Sequence, residues 1–119
     1  MILKDNLYKI LNYNSEESEF TLELLPDSVV YRAHFPEQPI TPGVCIIQMA
    51  CELLSEMLGK TLTLHEVANA KFLTAIEPSV TPVVTVRFAK IETSGLSTKA
   101  TVTFCHEDKT FSKLSLLFQ

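Results

Sequence analysis

The sequence predicts an α+β domain in which an antiparallel sheet curls around one long helix. Three observations lead to this prediction: a strongly apolar helical stretch near the middle, short alternating segments before it, and a series of alternating segments after it. The chain has 119 residues, of which 46% are hydrophobic. A chain of this size and apolarity can bury a core without disulfides or metals. We therefore expect residues 1–119 to form a single domain.

The helix is predicted between residues 41 and 59. Thr41 is a favourable N-cap and Pro42 suits the first helical position. Gly59 suits the position just beyond the helix end. The apolar residues between them form a wide face: Ile46, Ile47, Ala50, Cys51, Leu53, Leu54, Met57 and Leu58. A helix with so wide an apolar face is surrounded by other structure.

Strands are predicted on both sides of this helix from alternating polar and apolar residues. Before the helix they cover residues 7–13 and 20–24. After it they cover roughly residues 63–72, 80–90, 95–106 and 110–118. In the clearest one, the side chains expected on one face are Leu96, Ala100, Val102 and Phe104. Turn residues between the last three strands predict an antiparallel meander.

Composition and charge exclude several classes of function. The chain has 10 basic and 14 acidic residues without a basic cluster, which argues against nucleic-acid binding. It has no apolar stretch of about 18 residues to span a membrane and no evident signal peptide, so we expect a cytoplasmic protein. Cys45, Cys51 and Cys105 lack metal-site spacing, and no metal or organic cofactor is implied. Cys45 and Cys51 are expected to pack as small apolar side chains.

Residues 34–48 are the segment that the sequence predicts to contain the reactive groups. Prolines at every third position make the approach to the helix stiff and extended. His34 on this segment can act as a base near neutral pH. The helix start at Gly43 offers free N–H groups and allows a ligand close to the backbone, and Gln48 projects from the same helix. This arrangement suits enolate formation. A structural histidine and an ordinary helix entry remain open on the residues alone, and His65 and His106 are interpreted as structural or solvated.

Residues 34–48 resemble the signature of the hotdog-fold 3-hydroxyacyl-acyl-carrier-protein dehydratases. That signature runs His-Phe-Pro, two variable residues, Pro, an apolar residue, a variable residue and Pro-Gly-Val, with an acid further along the helix. The matching residues are His34, Phe35, Pro36, Pro39, Ile40, Pro42, Gly43 and Val44. A weaker similarity continues through residues 70–73 and 76–78. The resemblance implies the hotdog fold, in agreement with the architecture predicted above.

The resemblance also implies an activity and its residues. His34 would remove the proton next to the thioester carbonyl, and the Gly43 N–H would bind the carbonyl oxygen, giving a trans-2-enoyl thioester. The same resemblance implies substrate contacts by Phe35, Pro42, Val44 and Ile47. The substrate would be a thioester of acyl carrier protein or of coenzyme A.

The resemblance further implies a site shared between two protomers. We therefore expect a homodimer, or a heterodimer with a hotdog relative, and further assembly stays open. Some cations of the more basic second half are candidates for docking a carrier protein. They are Lys71, Arg87, Lys90 and Lys99.

Gln48 departs from the signature, because the dehydratases have Glu or Asp at this position. An amide has no proton to donate near neutral pH, and general acid catalysis contributes roughly 10²–10⁴-fold in rate. The proton could instead return from His34, or come from an acid-bearing relative in a heterodimer. Glu52, one turn along the helix, is a weaker candidate and is expected to face solvent or an interface cation. The predicted function is a dehydratase. The alternatives are a non-catalytic or heteromeric acyl-binding subunit and, with least support, a thioesterase.

Overall fold

The computed structural model describes residues 2–33 and 37–119 and shows a six-stranded antiparallel sheet curled around a helix. In chain order the elements are β1 (Tyr8–Asn14), β2 (Glu19–Leu24), α1 (Val29–Ala33), α2 (Gly43–Leu58), β3 (Leu64–Phe72), β4 (Val83–Ser94), β5 (Ser97–His106) and β6 (Lys109–Phe118). The strand order is β1-β2-β4-β5-β6-β3, and every neighbouring pair is antiparallel. The predicted α+β class is confirmed, as is the meander of β4, β5 and β6.

Helix α2 supplies much of the core, as its wide apolar face predicts. Its buried residues are Cys45, Ile46, Met49, Ala50, Cys51, Leu53 and Leu54. They belong to the same core as inward-facing residues of the sheet such as Val84, Val102 and Phe104. The helix ends at Gly59, whose φ of 68° is the left-handed conformation expected of a glycine cap.

The start of α2 is one residue later than the sequence predicts. Pro42, with φ −63° and ψ 146°, is the N-cap, and the helix begins at Gly43 without a side-chain cap. Thr41 does not cap the helix because its hydroxyl pairs with the Tyr31 hydroxyl at 2.7 Å. Its backbone N–H donates to the Ile76 carbonyl at 2.8 Å. Tyr31 lies on α1, a five-residue helix that the sequence pattern does not predict.

Two strands begin later than predicted: the strand expected at residues 80–90 is β4, Val83–Ser94, and the one expected at residues 95–106 is β5, Ser97–His106. Leu96 lies in the turn before β5 and is 93% exposed, so its expected inward position is wrong. Thr98 is buried on the inward face instead, two residues before Ala100. Strict alternation counted back from Ala100 requires this, because a strand repeats every two residues.

Strand β3 is an edge of the sheet and pairs only with β6 among the described strands. Most of its residues are exposed, including the apolar Val67 and Phe72. The directly opposite residue of Val67 on β6 is the buried Leu116, so Val67 lies on the inner side of the sheet at its open edge.

Neither helix in the described part of the chain has the length and apolar character that a membrane span requires.

Candidate functional site

A cavity of about 310 Å³ lies at the start of α2. Its lining residues are Ile40, Thr41, Gly43, Ile46, Phe72, Leu73, Thr74, Ala75 and Ile76. The Phe72 ring lies so close to Gly43 that a Cβ added there would be 3.1 Å from the ring carbon Cζ. The ring therefore packs closely over the helix start, and it would have to shift by a few tenths of an ångström if position 43 carried a Cβ.

Two backbone N–H groups at the start of α2 have no hydrogen-bond acceptor among the described residues. The N–H groups of Cys45 and Ile46 both donate to the Pro42 carbonyl, at 3.0 and 3.1 Å. Within residues 2–33 and 37–119, the N–H groups of Gly43 and Val44 donate to no protein acceptor. Together with the positive end of the helix dipole, these donors favour a negatively charged ligand atom. The start of α2 can thus stabilise an oxyanion.

Side-chain hydrogen bonds hold the described residues on either side of residues 34–36. The hydroxyls of Tyr31 and Thr41 pair with each other, and burial raises the pKa of Tyr31 to about 12. Further along, the Gln38 amide donates to the Glu77 carboxylate at 2.6 Å. These contacts anchor the segments on either side of residues 34–36. His34 and Phe35 themselves lie outside the described residues.

Gln48 lines a second cavity, of about 520 Å³, along one side of α2. This cavity is lined by Ile2, Lys4, Gln48, Cys51, Glu52, Ser55, Thr61, Leu62, Thr63 and Leu64. The Gln48 amide nitrogen donates to a carboxylate oxygen of Glu52 at 2.9 Å. Gly43 and Gln48 therefore line different cavities of one chain.

The predicted substrate contacts are also separated. Val44 is exposed, whereas Pro42 is half-buried beside the helix start. Ile47 packs against the core, and it is Ile46 that lines the first cavity. Of the predicted site residues that are described, only Gly43 lines the cavity at the helix start within one chain.

Glu52 is a structural anchor, and the expectation that it faces solvent or a cation is wrong. Its carboxylate accepts hydrogen bonds from the backbone N–H groups of Leu3 and Lys4, at 2.7 and 2.9 Å. The Tyr8 hydroxyl donates to it at 2.9 Å, in addition to the Gln48 amide. Burial, and then the hydrogen bond to Glu52, raise the pKa of Tyr8 well above its ordinary value. Both oxygens of Glu52 are therefore engaged in holding the N-terminal segment against α2.

The cysteines beside these cavities pack as predicted. Cys45 and Cys51 are buried, and burial raises the pKa of both thiols. For Cys51 the nearby charge of Glu52 adds to the effect of burial, and its pKa is about 11. A thiol of such pKa is protonated at neutral pH and is a poor nucleophile.

The contacts of two residues that line these cavities, Phe72 and Glu52, were not predicted from the sequence. Phe72 belongs to a segment with family resemblance, but no local pattern places its ring over Gly43. The four-residue spacing of Gln48 and Glu52 does place both on one helix face, and this signal indicates their contact. The partners of Glu52 near the N-terminus are about fifty residues away in sequence, and only the fold reveals them.

The sequence matches the family model described as ApeI-like, ApeI dehydratase, over residues 11–113. Among solved structures, the dehydratase heterocomplex ApeI:P from Xenorhabdus doucetiae is similar with 19% identity and a TM-score of 0.64, covering 94% of this chain and 98% of that chain. An uncharacterized protein from Erwinia carotovora subsp. atroseptica is similar with 24% identity and a TM-score of 0.59. The match covers 83% of this chain and 80% of that chain.

A hypothetical thioesterase with coenzyme A from Streptococcus pneumoniae TIGR4 has 13% identity and a TM-score of 0.61, covering 93% of this chain and 83% of that chain. At these identities the similarities to solved structures establish the fold. A comparison with curated proteins gave no significant match. Because the family match extends over most of the chain, this hotdog-fold protein belongs to the ApeI-like dehydratase family.

Proposed function

We propose that the protein dehydrates (3R)-3-hydroxyacyl thioesters, carried by acyl carrier protein or coenzyme A, to trans-2-enoyl thioesters and water in acyl-chain biosynthesis. The observation that carries this proposal is the pair of N–H groups at the start of α2 that donate to no acceptor in the described part of the chain, beside a mainly apolar cavity. A thioester carbonyl placed there would receive hydrogen bonds as it gains negative charge. Membership of a dehydratase family supports this reaction over others that use an oxyanion.

In the proposed mechanism His34 takes a proton from the carbon next to the thioester carbonyl. The electron pair moves onto the carbonyl oxygen, which the Gly43 N–H stabilises together with the helix dipole. The pair then returns to form the carbon–carbon double bond as the bond to the 3-hydroxyl breaks. The departing hydroxyl takes up a proton and leaves as water. His34 can return the proton it removed, since Gln48 has none to give.

The proposed site contains groups from two protomers. Gly43 and Gln48 line different cavities within a chain, so one substrate would contact Gly43 of one protomer and Gln48 of the other. Gln48 would hydrogen-bond the 3-hydroxyl through its amide. The open edge of β3, with its exposed apolar residues, is the surface that we propose for pairing.

The second candidate is a heteromeric or non-catalytic subunit that binds acyl thioesters. The amide of Gln48 favours it, because a partner with a carboxylic acid at this helix position would complete a site containing His34. The similar ApeI:P structure is described as a dehydratase heterocomplex. A thioesterase has less support, because Gln48 supplies no carboxylate and Glu52 already accepts four hydrogen bonds.

An enoyl-thioester absorbance assay on the purified protein tests the proposal. It uses 3-hydroxyacyl and trans-2-enoyl thioesters, so that dehydration and hydration are both followed. We expect turnover that is lost in His34→Ala and kept in His106→Ala. His106 is a matched control, because it is a half-buried histidine at the end of β5, 3.8 Å from the Glu107 carboxylate.

Three outcomes would contradict a dehydratase acting alone. Absence of turnover in a folded, dimeric protein would favour the heteromeric subunit, and activity restored by an acid-bearing relative would establish it. Thiol release without enoyl formation would favour the thioesterase. Equal loss in His34→Ala and His106→Ala would show that His34 has no special role.

A further inference from the structure

We infer that the outer face of the sheet carries a binding site for a phosphate-bearing anion, lined by Lys71, Lys90 and Lys113. This inference is independent of the proposed dehydration. A concavity of about 320 Å³ lies on this face. Its lining residues are Asn69, Lys71, Lys90, Thr101, Val102, Thr103, Lys113, Leu114 and Ser115.

The strand register places these side chains in two rows across β5, β6 and β3. In one row Thr103 lies opposite Lys113, which lies opposite Lys71. In the other, Thr101 lies opposite Ser115, which lies opposite Asn69. The neighbouring Val102 and Leu114 are buried, so both rows face away from the core and from α2.

The pairing of Lys71 with Lys113 is electrostatically unfavourable in the protein alone. Like charges directly opposite each other on neighbouring strands destabilise a sheet. No carboxylate lines the concavity, and neither lysine forms an ion pair within the described part of the chain. A bound anion would turn this repulsion into attraction.

Lys90 reaches the same concavity from an irregular position on β4. Its φ of 52° lies in the left-handed region, which non-glycine residues seldom adopt. The register with β5 shifts between Ala89 and Glu92, so Lys90 sits in a bulge. Bulges commonly redirect a side chain. Here the bulge brings a third ammonium group to the two lysines of β3 and β6.

The four cations that the sequence suggests for docking have different surroundings in the structure. Arg87 is engaged by Glu19, with nitrogen–oxygen distances of 2.9 and 3.0 Å. Lys99 lies opposite Glu92 across β4 and β5. Lys71 and Lys90 line the concavity together with Lys113, which was not among the cations predicted from the sequence.

The polar groups between the lysines suit a phosphate. The side chains of Thr103, Ser115 and Asn69 make no hydrogen bond within residues 2–33 and 37–119, so their donors are available. Thr101 donates to the Ala89 carbonyl at 3.0 Å and can only accept. Ammonium, hydroxyl and amide donors around a compact concavity match the several acceptor oxygens of a phosphate group. An acidic protein surface would instead need contacts spread over a wider area.

Titration of the full-length protein with inorganic pyrophosphate tests the inference. Amide chemical shifts are followed by NMR at fixed ionic strength, with adenosine 3′,5′-bisphosphate as a second probe. We expect shifts centred on residues 69–71, 101–103 and 113–115. The triple variant Lys71→Gln/Lys90→Gln/Lys113→Gln should weaken binding by about tenfold or more, since it removes three charge-assisted hydrogen bonds.

The matched control is Lys9→Gln/Lys60→Gln/Lys109→Gln, which removes the same charge from three exposed positions elsewhere. Its affinity for pyrophosphate should stay unchanged. Tighter binding of the bisphosphate than of pyrophosphate would support a nucleotide source, and similar binding a free phosphate source. Equal weakening in both triple variants, or absence of shifts on this face, would overturn the inference. Lysine-dependent binding of an acidic carrier protein without binding of either phosphate probe would also overturn it.

Discussion

Gly43 combines two features at one position: a backbone N–H that donates to no acceptor among the described residues, and room for the Phe72 ring. A Cβ at this position would lie 3.1 Å from the ring, so the half-exposed ring must move for alanine to fit. Alanine also favours a helix over glycine, by up to about 1 kcal/mol. We expect Gly43→Ala to keep the fold and its melting temperature but to lower kcat for dehydration by about tenfold or more, because it obstructs the oxyanion donor.

The matched control for this prediction is Gly59→Ala. Gly59 has a φ of 68° and open space around its Cα, so alanine there is strained without meeting a neighbour. We expect it to lower stability by about 1 kcal/mol and to leave kcat unchanged. Thermal unfolding and the enoyl assay distinguish the two patterns. A Gly43→Ala variant with full activity would remove Gly43 from the proposed site.

Gln48 lies so close to Glu52 that an acid introduced there would have a raised pKa. The amide nitrogen is 2.9 Å from the Glu52 carboxylate, and two carboxylates at such a distance cannot both ionise easily. The carboxyl introduced by Gln48→Glu should therefore stay protonated at higher pH than an ordinary glutamic acid. We expect dehydration to become about tenfold faster or more, because the site gains a general acid.

The rate gain of Gln48→Glu should depend on pH in one direction. A group that must donate a proton works only below its own pKa, so the gain in kcat should disappear as pH rises. Stability relative to the unsubstituted protein should fall over the same range, because ionisation places two charges together. A rate gain that grows with pH would contradict this role. An unchanged rate would indicate that the amide of Gln48 already works in the site.

At the scale of the elements, Glu52 of α2 holds the N-terminal segment by hydrogen bonds. This half-buried carboxylate accepts two backbone N–H groups, the Tyr8 hydroxyl and the Gln48 amide. Replacing it by glutamine turns an amide NH₂ towards groups that are themselves donors. We expect Glu52→Gln to lower the free energy of unfolding by about 2–3 kcal/mol, since bonds to a charged acceptor are lost and buried donors remain unpaired.

Glu56→Gln is the matched control on the same helix. Glu56 pairs with Lys4, but the side chains are 40% and 44% exposed, so the pair should contribute less than about 1 kcal/mol. Urea unfolding gives the two energies, and hydrogen exchange at the amides of Leu3 and Lys4 reports the attachment directly. Equal losses in both variants would contradict the anchoring role of Glu52.

The elements differ in how far their sequences specify them. The long helix and the strand meander were predictable, because their periodicity is local and repeated over many residues. The position of Leu96 was not predictable. It depends on which residues form the turn between β4 and β5, and the turn decides which residue is the first to face inward on β5. Thr41 was predicted to cap the helix because it directly precedes the helical stretch. Its hydroxyl pairs instead with that of Tyr31, which belongs to another element. Local patterns identify elements, whereas contacts between elements set their ends.

The same distinction applies to the candidate site. Gly43 and Gln48 were identified from their order along one motif and its resemblance to a family. Their separation into two cavities depends on the path of the whole chain and could not be predicted from spacing. Glu52 lies on the same helix face as Gln48, yet its role is set by residues at the far N-terminus. The roles of His34, Gly43 and Gln48 stay predictions until the assay is done.

At the scale of the whole molecule, the open edge of β3 is the surface that we propose for pairing with a second hotdog chain. An exposed edge strand presents unpaired backbone groups, and soluble proteins protect such edges with charges or cover them. Here the inner side of the edge carries apolar residues instead: Val67 is 38% exposed and Phe72 50% exposed. Because Phe72 also covers Gly43, pairing at this edge would bring a partner next to the cavity at the helix start. Assembly and the proposed activity are therefore expected to change together.

We expect the purified chain to be dimeric at micromolar concentration and Val67→Lys to weaken the dimer by about tenfold or more, because a charge on the inner side of an edge opposes pairing. Leu96→Lys is the matched control: Leu96 is 93% exposed, in the hairpin between β4 and β5, and its substitution should leave the dimer intact. Sedimentation velocity over a dilution series measures both dissociation constants, and the enoyl assay at the same concentrations shows whether activity follows the dimer. A chain that is monomeric alone but pairs through β3 with an acid-bearing relative would favour the heteromeric subunit. Equal dissociation in both variants would place the interface elsewhere.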